Sequence, residues 1–86
     1  MTTLNRELAS FIEKNLIGEG RGASINDATP LIEEGIVDSM GLMQIVAFLE
    51  ERTGVRVPDD EISPDNFETI ELITRLVEKL QAKRAR

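Results

Sequence analysis

The stretch Leu31 to Leu42, LIEEGIVDSMGL, decides how this chain is read. A glycine-bearing loop runs into a strongly apolar segment, and Asp38 and Ser39 stand at the junction. Asp is a strong helix N-cap, because its carboxylate accepts a hydrogen bond from amides that the first helical turn leaves unpaired. The pattern predicts a helix from Ser39 to about Thr53, capped by Asp38 and ended by Gly54. Ser39 is then the first helical residue, with its hydroxyl beside the positive end of the helix dipole. A phosphate esterified to that oxygen is favoured there. Gly41 costs about 0.5–1 kcal/mol relative to Ala inside a helix. It is read as clearing the first turn for a bulky adduct or an approaching enzyme surface.

Helical signals continue on both sides. Leu4, Leu8, Phe11, Ile12 and Leu16 recur at helical spacing between Leu4 and Ile17, with Thr3 as N-cap and Gly18 and Gly20 as a stop. The connection GEGRGASINDATPLIEEG comes next; it is long, and Ile25, Leu31 and Ile32 are its candidate anchors. Pro30 is placed to open one helical turn over Leu31 to Glu34, which Gly35 ends. After Gly54 come a short V-R-V, Pro58 and the acidic run Asp59, Asp60, Glu61. Ser63 and Pro64 signal a short helix through Asn66 or Phe67, and Thr69 starts the last helix. Ile70, Ile73, Leu76, Val77 and Leu80 form its apolar stripe.

The expected fold is all-α, with one domain over residues 1–86: a small four-helix bundle of three longer helices and one short helix, with a long first loop. Residues 1–3 and 81–86 are expected to fray. Leu8, Phe11, Ile12, Leu42, Val46, Leu49, Phe67, Ile73, Leu76, Val77 and Leu80 are expected to pack together.

The second helix is too apolar for an ordinary amphipathic element. At about 100° per residue, Leu42, Ile45, Val46 and Leu49 form one face. Met40, Met43, Gln44 and Ala47 lie nearly opposite, with Glu51 one turn later and Phe48 between the faces. In a small bundle the Met face is either further core or an interaction surface, since Met side chains adapt to different partners. Its position beside Ser39 favours the interaction surface.

Composition removes several function classes. The chain of 86 residues carries 16 acidic and 10 basic residues, a formal charge of −6. Such a chain repels nucleic-acid phosphate and anionic lipid and suits a partner presenting Arg and Lys. It has no His and no Cys, hence no imidazole base for a serine hydrolase, no thiolate chemistry and no ordinary zinc site. Neither a G-x-S-x-G nucleophile elbow nor an EF-hand loop is present, and Asp59, Asp60, Glu61 and Asp65 read as a solvated acidic loop rather than a metal site. No apolar run has transmembrane length, so the expected setting is cytoplasmic and the expected state a monomer.

The same residues carry a resemblance. LIEEGIVDSMGL, then MQIVAFLEERTGVRVP from Met43 to Pro58, then DEISPDNFETI from Asp60 to Ile70, together resemble the acyl carrier protein family, the phosphopantetheine-binding carriers. The resemblance implies that the bundle is of acyl-carrier type and that the chain is not an enzyme. It implies that Ser39 takes 4'-phosphopantetheine from coenzyme A through a phosphopantetheinyl transferase needing Mg²⁺, with Asp38 presenting the serine. The arm's thiol would then carry acyl groups as thioesters between loading enzymes and downstream synthases or transferases. The family's docking helix maps onto Met40, Met43, Gln44, Ala47, Glu50 and Glu51. Met40 and Gly41 after the serine, and Gln44 in place of an acid, depart from fatty-acid-type carriers and point to a stand-alone carrier of specialised metabolism. An aminoacyl or peptidyl carrier is the alternative. A cofactor-free helical adaptor is a second alternative, one that predicts the same two-faced helix with a replaceable Ser39.

Overall fold

Apolar residues three and four apart on one stripe write the first helix, α1, over Thr3–Ile12. In the computed structural model, which describes residues 3–17 and 25–84, it continues as a π-helical turn, Glu13–Ile17. Thr3 is thus helical rather than the cap, and the stop expected at Gly18 and Gly20 lies outside the described residues. Helix α2 spans Ser39–Thr53. Gly54 ends it at φ 72°, a left-handed conformation that glycine adopts without a Cβ penalty, and its amide donates to the Glu50 carbonyl at 2.9 Å.

A 3₁₀ turn over Asp59–Glu61 leads to the short α3, Pro64–Phe67, and then α4, Ile70–Arg84. Pro64 sits in the first turn of α3, where its missing N–H costs nothing. Thr69 starts α4 as its cap: its hydroxyl accepts the Leu72 amide at 3.1 Å and its carbonyl the Ile73 amide at 3.0 Å. α4 runs through residues 81–84, within the end expected to fray; residues 1–2 and 85–86 lie outside the described residues. The described residues contain four α-helices and no strand, so the chain is an all-helical bundle.

α1 lies antiparallel to α2. Glu7 pairs with Arg52, the Phe11 and Phe48 rings stack at 4.5 Å, and Leu16 reaches Gly41. Both α1 and α3 pack on α4. The core gathers Leu8 and Ile12 of α1, Ile45, Val46 and Leu49 of α2, Phe67 of α3, and Ile70, Ile73, Leu76, Val77 and Leu80 of α4, all buried. Two residues expected there, Phe11 and Leu42, pack against the cluster but are only partly buried. Three loop residues are buried beyond those expected, Val37, Val55 and Val57, and Leu31 is buried as an anchor of the first loop.

The long first connection is held by hydrogen bonds from distant residues. Asn26 folds the chain locally, its side chain accepting the Ala28 amide at 2.8 Å. Asp27 accepts from the Asn5 side chain at 2.8 Å, and its carbonyl from the Glu71 amide at 3.1 Å. Glu68 carries the next segment: its carbonyl accepts the Leu31 amide at 2.7 Å, and one carboxylate oxygen accepts the Ile32 and Glu33 amides at 3.0 and 3.1 Å. Pro30 opens the expected turn, with the Glu34 amide on its carbonyl at 3.0 Å, and Gly35 closes it at φ 75°. None of the helices is long and apolar enough to cross a membrane among the described residues.

The packing and the surface pairs make stability testable at two points. Leu49 is completely buried, so Leu49→Ala should lower the unfolding free energy by about 2–5 kcal/mol in urea titration. Glu61 bonds the Lys79 ammonium at 3.1 Å and the Asn66 side chain at 3.1 Å. The Lys79 hydrogen bond, foremost, holds its carboxyl below the ordinary 4.5. A depressed folded-state pKa means that this stabilisation is present above the unfolded value and is lost as pH falls through the folded one. Urea titrations at stepped pH should show that loss below about pH 4.5, and Lys79→Met should flatten it.

Candidate functional site at the start of the second helix

Asp38 enters α2 in an extended conformation, φ −104° and ψ −170°. One carboxylate oxygen accepts the Gly41 amide at 2.8 Å, and the Asp38 carbonyl accepts the Leu42 amide at 2.8 Å, the first bond of the helix. This N-cap makes Ser39 the first helical residue and leaves it exposed. On the approach, the Leu31 carbonyl accepts the Ile36 and Val37 amides at 2.9 and 3.1 Å, and Val37 is buried in the core. The backbone immediately before Asp38 is therefore anchored, and the exposed serine stands on a fixed base.

Beyond Ser39, the exposed side of α2 presents Met40 at 72% and Met43 at 53% exposure, with Gln44, Ala47 and Glu51 also exposed. The face read as core, Ile45, Val46 and Leu49, is buried, with Leu42 half-buried. Two methionines this exposed in a small domain are not core. Glu50 departs from its neighbours: it is half-buried, and its carboxylate accepts the Val57 amide at 2.9 Å, bracing the chain that returns after Gly54.

Gly41 differs from the expectation built on its composition. It is buried, and a Cβ there would meet an Asp38 carboxylate oxygen at 3.3 Å and the Leu16 methyls at 3.4 and 3.5 Å. The room it makes is filled by α1 and by the cap, so it does not clear space for an adduct or an enzyme. Single-residue reasoning missed this because the contact joins residues 25 positions apart. Glu68 and its hold on residues 31–33 were missed for the same reason.

Beside Ser39 lies an open groove of about 370 Å³, lined by Ile32, Gly35, Val37, Leu42 and Pro64 together with Asp38 and Ser39. A second, of about 410 Å³, runs between α2 and the segment after it, past Met43, Val46, Arg56 and Ile62. Among the described residues no three acidic side chains converge as metal ligands, the Asp59–Glu61 turn included. The serine stands at a helix terminus that favours a phosphate, with an apolar groove alongside.

Comparison with known proteins agrees with this geometry. Residues 16–81 match the family described as "Phosphopantetheine attachment site". A probable acyl carrier protein, PigG of Serratia sp. (strain ATCC 39006), is 36% identical over 64 residues, covering 74% of each chain. D-alanyl carrier protein 1 of Lactiplantibacillus plantarum is 37% identical over 62 residues, 72% of this chain and 78% of that one. A chain from a solved structure described as "Crystal structure of FAD-dependent dehydrogenase" superposes with a TM-score of 0.74 at 34% identity, over 83% of this chain and 99% of that one. With the family match spanning most of the described bundle, this chain belongs to the phosphopantetheine-attachment family and is a carrier protein whose cofactor is covalently bound 4'-phosphopantetheine.

Proposed function

We propose that Ser39 is the attachment residue, and that the chain is a stand-alone acyl carrier that performs no catalysis itself. The observation that carries this is the exposed Ser39 at the first position of α2, its backbone held by the Asp38 cap. The residues present suit the group. A phosphodiester on the Ser39 oxygen lies at the helix terminus, where unpaired amides and the dipole favour negative charge. The groove past Val37, Leu42 and Pro64 offers apolar surface to the arm beyond the phosphate and to its cargo. When bound, the cofactor supplies a thiol that holds cargo as a thioester.

Attachment needs a partner because the phosphopantetheine comes from coenzyme A, which an enzyme must bind and activate. A phosphopantetheinyl transferase brings coenzyme A and Mg²⁺; the Ser39 oxygen bonds to the pantetheine-bearing phosphorus as the pyrophosphate P–O bond breaks, 3',5'-adenosine bisphosphate leaves, and the serine proton passes to a base of the transferase. Asp38 acts by position, fixing the serine through the Gly41 amide. Partner enzymes dock on Met40, Met43, Gln44, Ala47 and Glu51, mostly by apolar contact with a modest acidic steering component. Glu50, bonded to Val57, contributes its remaining capacity from the side of that face.

A second reading concerns the cargo. The D-alanyl carrier relatives support an aminoacyl cargo as the alternative to the acyl cargo that the PigG relative supports.

Incubation with coenzyme A, Mg²⁺ and a broad-specificity phosphopantetheinyl transferase should raise the intact mass by one phosphopantetheine, and Ser39→Ala should abolish the gain. A gain that persists in Ser39→Ala, or none in the folded wild type, would exclude Ser39. Asp38→Ala should lower stability by about 0.5–2 kcal/mol, and Asp38→Asn by less, because Asn also caps; thermal unfolding measures both.

A further inference from the structure

Two contacts converge on Gly41 from opposite sides. One is the Asp38 carboxylate, which accepts the Gly41 amide at 2.8 Å and lies 3.3 Å from where a Cβ would stand. The other is Leu16, in the π-helical turn that ends α1, whose methyls lie 3.4 and 3.5 Å from the same point. Gly41 is therefore the place where α1 and the N-cap of α2 are fitted to each other. The cap cannot retreat from a Cβ without lengthening its bond to the residue that carries the Cβ. The Leu16 methyls would stand at van der Waals contact with that Cβ, so they bound the space on the side of the π-helical turn. Glycine is the poorest helix former after proline, so helix propensity argues against it here, and the close approach supplies the reason for it.

We infer that Gly41 and Leu16 form a positioning pair for modification: the missing Cβ lets α1 seat the first turn of α2 with the Asp38 cap closed, which sets the Ser39 hydroxyl in line for transfer. Neither residue touches the reacting atoms. They act through Asp38 and the backbone of the first turn. This rests on Ser39 being the attachment residue. Of the proposed docking residues, Met43, Gln44, Ala47 and Glu51 lie beyond the first turn and are exposed, so disturbing the pair acts mainly on how the serine is presented. The effect therefore belongs in kcat for transfer rather than in KM for the carrier. Misplacing a reacting group by a fraction of an ångström to an ångström costs about tenfold to a hundredfold in rate.

The test is a double-mutant cycle on the phosphopantetheinylation rate, with coenzyme A and Mg²⁺ saturating and the carrier varied. Gly41→Ala should lower kcat about tenfold with KM for the carrier within about twofold. In a Leu16→Ala background the same change should cost about threefold or less, because the first turn then shifts into the vacated space. An unchanged kcat in Gly41→Ala, a loss confined to KM, or an equal loss in both backgrounds would overturn the pairing. Circular dichroism verifies folding; if Gly41→Ala is unfolded, Leu16→Phe crowds the same contact from α1 and is read by the same kcat, with no loss overturning the inference. Ser39→Ala is the blank. A wild type that takes no phosphopantetheine would refute the attachment at Ser39, whereas a modified wild type with an unaffected Gly41→Ala would refute the positioning pair alone.

Discussion

The hydrogen bond from the Gly41 amide to the Asp38 carboxylate, 2.8 Å long, determines where the second helix starts, and the rest of the site depends on that start. Sliding the sequence by one residue through that start would rotate every side chain of α2 by about 100°. Met40 and Met43 would leave the exposed face, and Ile45, Val46 and Leu49 would leave the core. One cap therefore sets both the stability of the bundle and the surface it shows to other proteins. It also places Ser39 at the helix terminus, where a phosphate ester is favoured.

The cap in turn relies on contacts from far along the chain. Glu68, between α3 and α4, accepts three amides of residues 31–33 through its carbonyl and carboxylate. Leu31 then accepts the amides of Ile36 and Val37, and Val37 enters the core directly before Asp38. From the other side, Leu16 of α1 closes on Gly41. The serine is exposed while the backbone beneath it is buttressed by three elements. A carrier visited by several enzymes has use for such an arrangement, since each must find the same atom in the same place.

How much of this was legible depends on the kind of signal involved. The starts of α2, α3 and α4 and the end of α2 were readable because Asp38, Pro64, Thr69 and Gly54 have terminus-specific chemistry. The two faces of α2 were readable because the helical period separates Ile45, Val46 and Leu49 from Met40, Met43 and Gln44. The burial of Val37, Val55 and Val57 was not, because single apolar residues in loops have no period and are buried only by the path of the chain. Glu50 sits near the exposed face on a helical wheel, yet the bend after Gly54 returns Val57 to its carboxylate. Gly41 was recognised as out of place in a helix. Its neighbours were not identifiable, since Leu16 comes from another helix.

The family relationship defines what the domain carries, and the bundle offers it one capped helix start, one anchored loop and one exposed apolar face. The most direct test of the account is fragmentation mass spectrometry of the modified chain, to locate the added phosphodiester. The account places it on Ser39 alone. Finding it on Ser10, Ser24 or Ser63, or spread over several hydroxyls, would contradict the account.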